Sequence, residues 1–172
     1  RERFATELHN GVQSALRKIR ENLLESAAEV DNVIEEVQDI SRGLMSKTLK
    51  MSGLRAALED YCRGLPRVGF YFEGSEKRAS ELVENFLYRS AQELVTNSLK
   101  HAEAQEIEVH LLQDKKHIYL TVSDDGKGYD TAQETSGIGV RNIRTRAEAL
   151  GGTMDVASSP GNGTETSITV KI

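Results

Sequence analysis

Cysteine is almost absent from this chain of 172 residues, and long apolar runs are missing. The single cysteine, Cys62, excludes an internal disulfide and a thiolate metal cage, so nothing indicates an oxidising compartment. No apolar run approaches the roughly 18 residues that cross a bilayer, and we expect no signal peptide at the start. A net charge of −5 gives no electrostatic basis for binding nucleic acid or an anionic membrane surface. We therefore expect a cytoplasmic chain that contacts neither.

The first part of the chain has the periodicity of two helices. From Phe4 to Leu24 the apolar residues fall on one helical face. In the second segment they alternate in steps of three and four, which is a heptad seam, at Val30, Val33, Val37, Ile40 and Leu44. A helical hairpin alone cannot enclose a core, so we expect two copies to form a dimeric four-helix bundle. An intramolecular hairpin packed on the rest of the chain is the alternative.

From about residue 66 onward the pattern changes to that of an α/β sandwich. Strands are predicted at residues 68–72, 107–111, 118–122, 154–156 and 168–172, and helices at residues 54–65, 79–102 and 140–150. Gly151 is expected to end the last helix. The predicted fold class is α+β, with a helical hairpin followed by a sandwich whose helices cover one face of a largely antiparallel sheet.

One predicted helix carries a row of polar side chains. In "QELVTNSLKHA", Glu93, Asn97 and His101 are four residues apart and so lie along one helical face, with Lys100 beside them. A carboxylate and an amide oxygen in such a row could hold hydrated magnesium and triphosphate oxygens. A solvated helix face is the alternative interpretation.

Two glycine-containing motifs follow along the chain. In "SDDGKGYD", Gly126 and Gly128 allow a tight turn after a strand, and Asp125 could point into a pocket and accept a hydrogen bond from an exocyclic amine. A plain turn explains this motif equally well. In "TSGIGVRNIRTR", Gly137 and Gly139 begin a helix and would let phosphate oxygens approach backbone N–H groups. Between the motifs, the polar segment of residues 129–136 is expected to be a mobile lid.

In this order, the motifs resemble those of the GHKL superfamily of ATP-binding domains, and within it the sensor histidine kinases. The resemblance extends to "ATELHNGVQSAL", which is similar to the phosphoacceptor helix of these kinases. "LVTNSLKHA" and "IRTRAEALGG" resemble the subgroup that pairs with regulators of the nitrate-response type. The resemblance implies a dimerisation and phosphoacceptor domain at residues 1–64 and a GHKL-type ATP-binding domain at residues 65–172. It also implies ATP and Mg2+ as cofactors, a homodimer, and a response regulator receiver domain as partner.

The resemblance assigns roles to individual residues. His9 would receive the γ-phosphoryl group and pass it to an aspartate of the regulator. Asp125 would bind the adenine amino group, Asn97 would ligate magnesium, and Glu93 would position the water or metal shell. Further nucleotide contacts are implied near the phosphates for Lys100 and His101, at the end of the lid for Gly137 and Gly139, and on the adenine side for Thr164.

Two positions near His9 depart from the family pattern. Asn10 stands where an acidic residue is usual, and although its amide oxygen can accept a hydrogen bond from the imidazole, it carries no charge. Ser14 stands where the glutamine associated with dephosphorylation of the regulator is usual, with Gln13 one place early. An ATP-binding dimeric signalling scaffold with weak or no kinase activity is therefore the alternative function. An ATPase of the topoisomerase or chaperone kind fits less well, because here the hairpin precedes the ATP domain.

The chain opens inside a charged helix, as part of a longer protein would. That protein could be a membrane-anchored sensor, with this part in the cytoplasm. None of the motifs described above indicates which signal such a sensor detects.

Overall fold

The computed structural model describes residues 47–75, 77–131 and 137–172. The predicted hairpin and its seam, together with His9 and Asn10, lie outside the described residues. Most of the predicted lid, residues 132–136, also lies outside them. Within the described ranges, no helix combines the length and the apolar character needed to span a membrane.

The sheet has five strands in the order β1-β2-β3-β5-β4. The strands are β1 (Val68–Gly74), β2 (Ile107–Gln113), β3 (His117–Asp124), β4 (Thr153–Ser158) and β5 (Thr164–Lys171). Strand β1 is parallel to β2, and the other three pairings are antiparallel. The predicted antiparallel hairpin is confirmed, with Ile107 opposite Asp124 and Gln113 opposite Ile118. The sheet is thus largely antiparallel, as the sequence pattern indicated.

Among the described residues, three helices pack on this sheet. They are α1 (Lys47–Arg63), α2 (Glu81–Asn97), which continues into a π-helical turn (Ser98–Ala102), and α3 (Ile138–Ala149). Ser80 caps the start of α2, where its side chain accepts a hydrogen bond from the Val83 N–H. Gly151 ends the last helix with a positive φ of 69°, as predicted. Alternate residues of β2 and β3 are buried in the core, namely Ile107, Val109, Leu111, Ile118, Leu120 and Val122.

Helix α1 belongs to the same core as the sheet. Leu58 is fully buried, Cys62 is 2% exposed, and both lie in one apolar cluster with Leu87 of α2. By its internal contacts the chain divides between Met45 and Ser46. The predicted domain boundary at residues 64 and 65 therefore falls inside the second compact unit, because the apolar face of α1 packs on α2 and β1.

Candidate functional site

A cleft of about 390 Å³ opens beside the C-terminal end of α2, the end of β3 and the start of β5. Its apolar lining comes from Leu94, Val122 and Val140. Its polar lining comes from Asn97, Ser98, His101, Asp124, Lys127, Tyr129, Thr164 and Thr166. Cavities of roughly 300 to 1,000 Å³ with an apolar lining and a few convergent polar groups are typical of small-molecule sites. The composition suits a ligand with one flat apolar part and polar edges.

The carboxylate that faces this cleft is that of Asp124. Its Oδ2 accepts a hydrogen bond from Ser98 Oγ at 2.7 Å, and its Oδ1 accepts one from the Gly126 N–H at 3.0 Å. Ser98 is 7% exposed and belongs to the π-helical turn, a local irregularity that is frequent at functional sites. These two hydrogen bonds fix the carboxylate at the edge of the cleft.

Asp125, the residue that the sequence analysis placed in the pocket, does not line this cleft. Its Oδ1 accepts hydrogen bonds from the backbone N–H groups of Gln105 at 2.8 Å and Glu106 at 2.9 Å. Successive side chains of a strand point to opposite faces, so the buried residue Val122 places Asp124 on the cleft side. The alternation of β3 was therefore the signal that distinguishes the two carboxylates.

The hydrogen bonds of Asp125 also make stability depend on pH. The backbone N–H groups of Glu106 and Gln105 lower the pKa of Asp125 from its ordinary value. A lowered folded-state pKa means that the ionised form stabilises the fold above the unfolded pKa of about 3.9, and that this contribution is lost as the pH falls through the folded pKa.

Asp125→Asn is accordingly expected to lower the thermal midpoint near neutral pH, because asparagine keeps an oxygen acceptor but not the charge. The difference from the wild type should shrink as the pH falls through the lowered folded-state pKa of Asp125, where the wild-type carboxylate also loses its charge. Calorimetry over this pH range measures the two midpoints. A difference that stays constant with pH would contradict the assignment.

Glu93, Asn97 and Gly139 come together at one end of the site. The Asn97 Nδ2 donates to Glu93 Oε1 at 3.4 Å. A Cβ added at Gly139 would lie 2.5 Å from the same oxygen, so any larger residue there would displace the Glu93 carboxylate from its present position. The amide nitrogen of Asn97 is thereby directed to Glu93, which leaves its amide oxygen for another partner.

The turn after β3 depends on glycines that approach other backbone segments. A Cβ at Gly126 would lie 2.3 Å from the Ala102 carbonyl oxygen, and one at Gly128, whose φ is +57°, would lie 2.1 Å from that of Ser159. The tight turn predicted for these two glycines is present. Gly163, which the sequence analysis did not single out, has a φ of +68°, and its Cβ would lie 1.9 Å from the Asp124 carbonyl oxygen. This close packing holds the start of β5 against the end of β3.

The remaining predicted residues divide into two groups. His101 and Thr164 line the cleft, and Thr164 Oγ1 lies 3.0 Å from Ser158 Oγ. Lys100 and Gly137 are exposed, and neither lines the cleft as the described residues define it. The sequence analysis missed Ser98 and Thr166, which are short polar residues on a helix and a strand with no distinguishing pattern.

The family comparison identifies the class of protein. Residues 82–172 match the family described as "Histidine kinase-, DNA gyrase B-, and HSP90-like ATPase", and because this match spans more than half of the chain, the chain belongs to that family. Its curated relatives include sensor histidine kinases. Residues 82–172 therefore form an ATP-binding domain of this family.

Two curated relatives illustrate the likeness. The chain is 26% identical over 195 aligned residues to the oxygen sensor histidine kinase NreB of Staphylococcus carnosus, covering 100% of this chain and 56% of that protein. It is 31% identical over 198 residues to the sensor histidine kinase MctS of Rhizobium johnstonii, covering 99% of this chain and 43% of that protein. The chain thus spans about half the length of these relatives.

Solved structures share the fold. The blue-light activated histidine kinase EL346 of Erythrobacter litoralis matches with a TM-score of 0.60 and 19% identity, over 83% of this chain and 49% of that chain. The histidine kinase domain of the same protein matches with a TM-score of 0.53 and 22% identity, over 69% of this chain and 63% of that chain.

Proposed function

We propose that this chain is the core of an ATP-dependent protein-histidine kinase. It transfers the γ-phosphoryl group of ATP to His9, and His9 passes the group to an aspartate in the receiver domain of a response regulator. The observation that carries this proposal is the cleft in which Asp124, with its hydrogen bond from Ser98, stands beside an apolar lining, within an ATPase domain of this family. Because ATP is the phosphoryl donor, we propose that the kinase core acts in the cytoplasm.

Adenine binding is assigned to the apolar part of the cleft. The exocyclic amine of adenine would donate to the Asp124 carboxylate, in the role that the sequence analysis gave to Asp125, while the base packs on Leu94, Val122 and Val140. Thr164 would close the adenine side. Ser98 orients the carboxylate for this contact, since its hydroxyl donates to Asp124 Oδ2.

Magnesium binding is assigned to the Asn97 end of the site. With its nitrogen directed to Glu93, Asn97 would offer its amide oxygen to Mg2+, and Glu93 would hold a water of the metal shell. Among the described residues, no group of three or more His, Cys, Asp or Glu could hold a metal. Mg2+ usually keeps several waters and binds through one or two protein oxygens together with substrate phosphates. Lys100, His101, Gly137 and Gly139 would lie towards the phosphates.

Transfer to His9 needs positioning more than covalent assistance. A neutral imidazole nitrogen attacks the γ-phosphorus in line, the bond from that phosphorus to the β,γ-bridging oxygen breaks, and ADP leaves. The other imidazole nitrogen gives up its proton to solvent, and the phosphoryl group later passes from nitrogen to a carboxylate oxygen of the regulator. We propose a homodimer joined through the Val30 to Leu44 seam, with the phosphoacceptor segment in the residues before Ser46.

The test is incubation of the full chain with γ-labelled ATP and Mg2+. A phosphohistidine is labile in acid and stable in alkali, so label with this profile, located at His9 by mass spectrometry, supports the kinase. ATP binding without any label would favour the dimeric scaffold instead.

Asn10→Asp is expected to accelerate labelling of His9. The aspartate can accept a hydrogen bond from the second imidazole N–H and then take up its proton as the phosphoryl group arrives, whereas asparagine can only accept the hydrogen bond. A positioned general base contributes about 10² to 10⁴ in rate, so an acceleration of at least about tenfold is expected. Single-turnover labelling at saturating ATP measures it, and Asn10→Ser serves as the uncharged control. An unchanged rate with Asn10→Asp would mean that another carboxylate supplies the base.

A further inference from the structure

Helix α1 is interrupted near its start. Gly53 has φ 87° and ψ 179°, which is not helical. Thr48 Oγ1 nevertheless donates to Asp60 Oδ2 at 3.0 Å, across twelve positions of sequence. In a continuous helix these residues would be about 18 Å apart. The first turn, residues 47–52, therefore folds back alongside the rest of α1, and we call it the leading turn.

Arg78 donates hydrogen bonds to backbone carbonyl groups of the leading turn. A helix that stops at Gly53 leaves the carbonyl groups of its last residues without intrahelical partners. Arg78 donates from Nη2 to the Leu49 carbonyl oxygen at 3.2 Å and from Nη1 to that of Lys50 at 3.5 Å. Its side chain also packs against the break, because a Cβ added at Gly53 would lie 2.9 Å from Arg78 Cδ.

Glu84, in the first turn of α2, holds Arg78 in place. Arg78 Nε lies 2.8 Å from Glu84 Oε1, and Nη2 lies 2.7 Å from Oε2, which is the two-point geometry of a guanidinium on a carboxylate. The Glu84 side chain is only 4% exposed, and Oε1 also accepts the Ala79 N–H at 3.0 Å. One guanidinium therefore joins the leading turn to the helix whose other end carries Glu93 and Asn97.

The leading turn is also where residues 1–46 join the described unit. Leu49 is 2% exposed and anchors the turn in the core, so the direction of the chain at residue 47 is set by contacts of the ATP-binding unit. Arg78 adds polar contacts to this apolar one, through its hydrogen bonds to the leading turn and to Glu84. It is not among the residues that line the nucleotide cleft.

We propose that Arg78 is a positioning residue of the kinase. By fastening the leading turn to α2, it fixes the path by which the chain enters the ATP-binding unit, and so controls how fast His9 receives the phosphoryl group. It does this without touching the nucleotide. This inference rests on the proposed function of His9.

The test compares Arg78→Ala and Arg78→Lys with the wild type in the full chain. Lysine keeps a positive charge beside Glu84, but its single nitrogen cannot span the carboxylate and two carbonyls as a guanidinium does. Arg63→Ala is the matched control, because Arg63 contacts Glu59 and Asp60 at 3.1 and 3.2 Å from an exposed position. Three quantities are measured: the Kd for a non-hydrolysable ATP analogue, the rate of His9 labelling at saturating ATP, and amide exchange at residues 47–54.

Both Arg78 variants are expected to bind the analogue with a Kd within about twofold of wild type. Labelling should fall by about ten- to hundredfold, the scale of a 1 Å misplacement of reacting groups. Amide hydrogen exchange should become faster at residues 47–54 and stay unchanged at residues 137–172. Arg63→Ala should match the wild type in the Kd and in the rate of labelling.

Two results would overturn the inference: labelling at the wild-type rate in folded Arg78→Lys, or a loss of ATP affinity in proportion to the loss of rate, which indicates a general structural defect. Arg78→Ala leaves Glu84 buried without a partner and could fail to fold for that reason. In that case the same three measurements are made on Arg78→Lys and on the neutral double variant Arg78→Gln with Glu84→Gln, and they test the inference in its place. Wild-type chain that takes no label at His9 overturns the proposed function. Wild-type and variant chains labelled equally overturn this inference alone.

Discussion

His9→Gln is expected to abolish phosphoryl labelling of the chain. Glutamine is similar in size but has no nucleophilic nitrogen, because its amide lone pair is delocalised into the carbonyl group. ATP binding should be unchanged, since the cleft is built from residues of α2, β3, α3 and β5. Quantitative labelling with γ-labelled ATP, beside a titration with a non-hydrolysable analogue, measures both.

Two other histidines serve as matched controls for this experiment. His110 stacks on Tyr71 with ring centroids 4.7 Å apart, and His117 lies beside Tyr119, so neither lines the nucleotide cleft. His110→Gln and His117→Gln should label at the wild-type rate. Acid-labile label that persists in His9→Gln would show that another histidine accepts the phosphoryl group and would remove His9 from the mechanism.

Asp124→Asn is expected to weaken ATP binding by about ten- to hundredfold, which corresponds to about 1.5 to 3 kcal/mol for a hydrogen bond to a charged group. The asparagine oxygen can still accept the Gly126 N–H. Its NH2 group would then replace the acceptor oxygen that meets Ser98 and the adenine amine, so two donors would face each other. Calorimetric titration with the ATP analogue measures the loss.

Asp125→Asn is the matched control for Asp124→Asn, because it makes the same chemical change at the neighbouring position. It should leave ATP affinity within about twofold of the wild type, because the Asp125 carboxylate accepts hydrogen bonds from the backbone N–H groups of Gln105 and Glu106 and does not line the cleft. The assignment of the adenine contact to Asp124 would fail if the two variants lost affinity equally, or if Asp125→Asn alone lost it.

The sheet was predictable from local alternation, but the order of the motifs did not indicate which of two adjacent carboxylates lines the cleft. In β2 and β3, every second residue is apolar and buried, so the hairpin follows directly from the pattern. "SDDG" presents two carboxylates in succession, and glycine spacing alone does not say which faces inward. The phase of β3, counted from Val122 to Asp124, carries that information.

Contacts between distant segments could not be predicted. The apolar stripe of α1 shows that one face is buried, but not whether it packs on another helix of a hairpin or on α2 and β1. The pairing of Arg78 with Glu84 and with the carbonyl of Leu49 joins residues up to 29 positions apart. Helical periodicity reports neither partner.

The burial of Cys62 makes the chain convenient for spectroscopic probes. Burial raises the pKa of the Cys62 thiol to about 11, so the reactive thiolate is scarce at neutral pH, and the sulfur is shielded from reagents in solution. A maleimide dye or spin label would therefore react with a cysteine introduced at an exposed position, such as Met51 in the leading turn, which is 81% exposed. The native thiol can stay in place, and the core around α1 is left intact while the movement of that turn is followed.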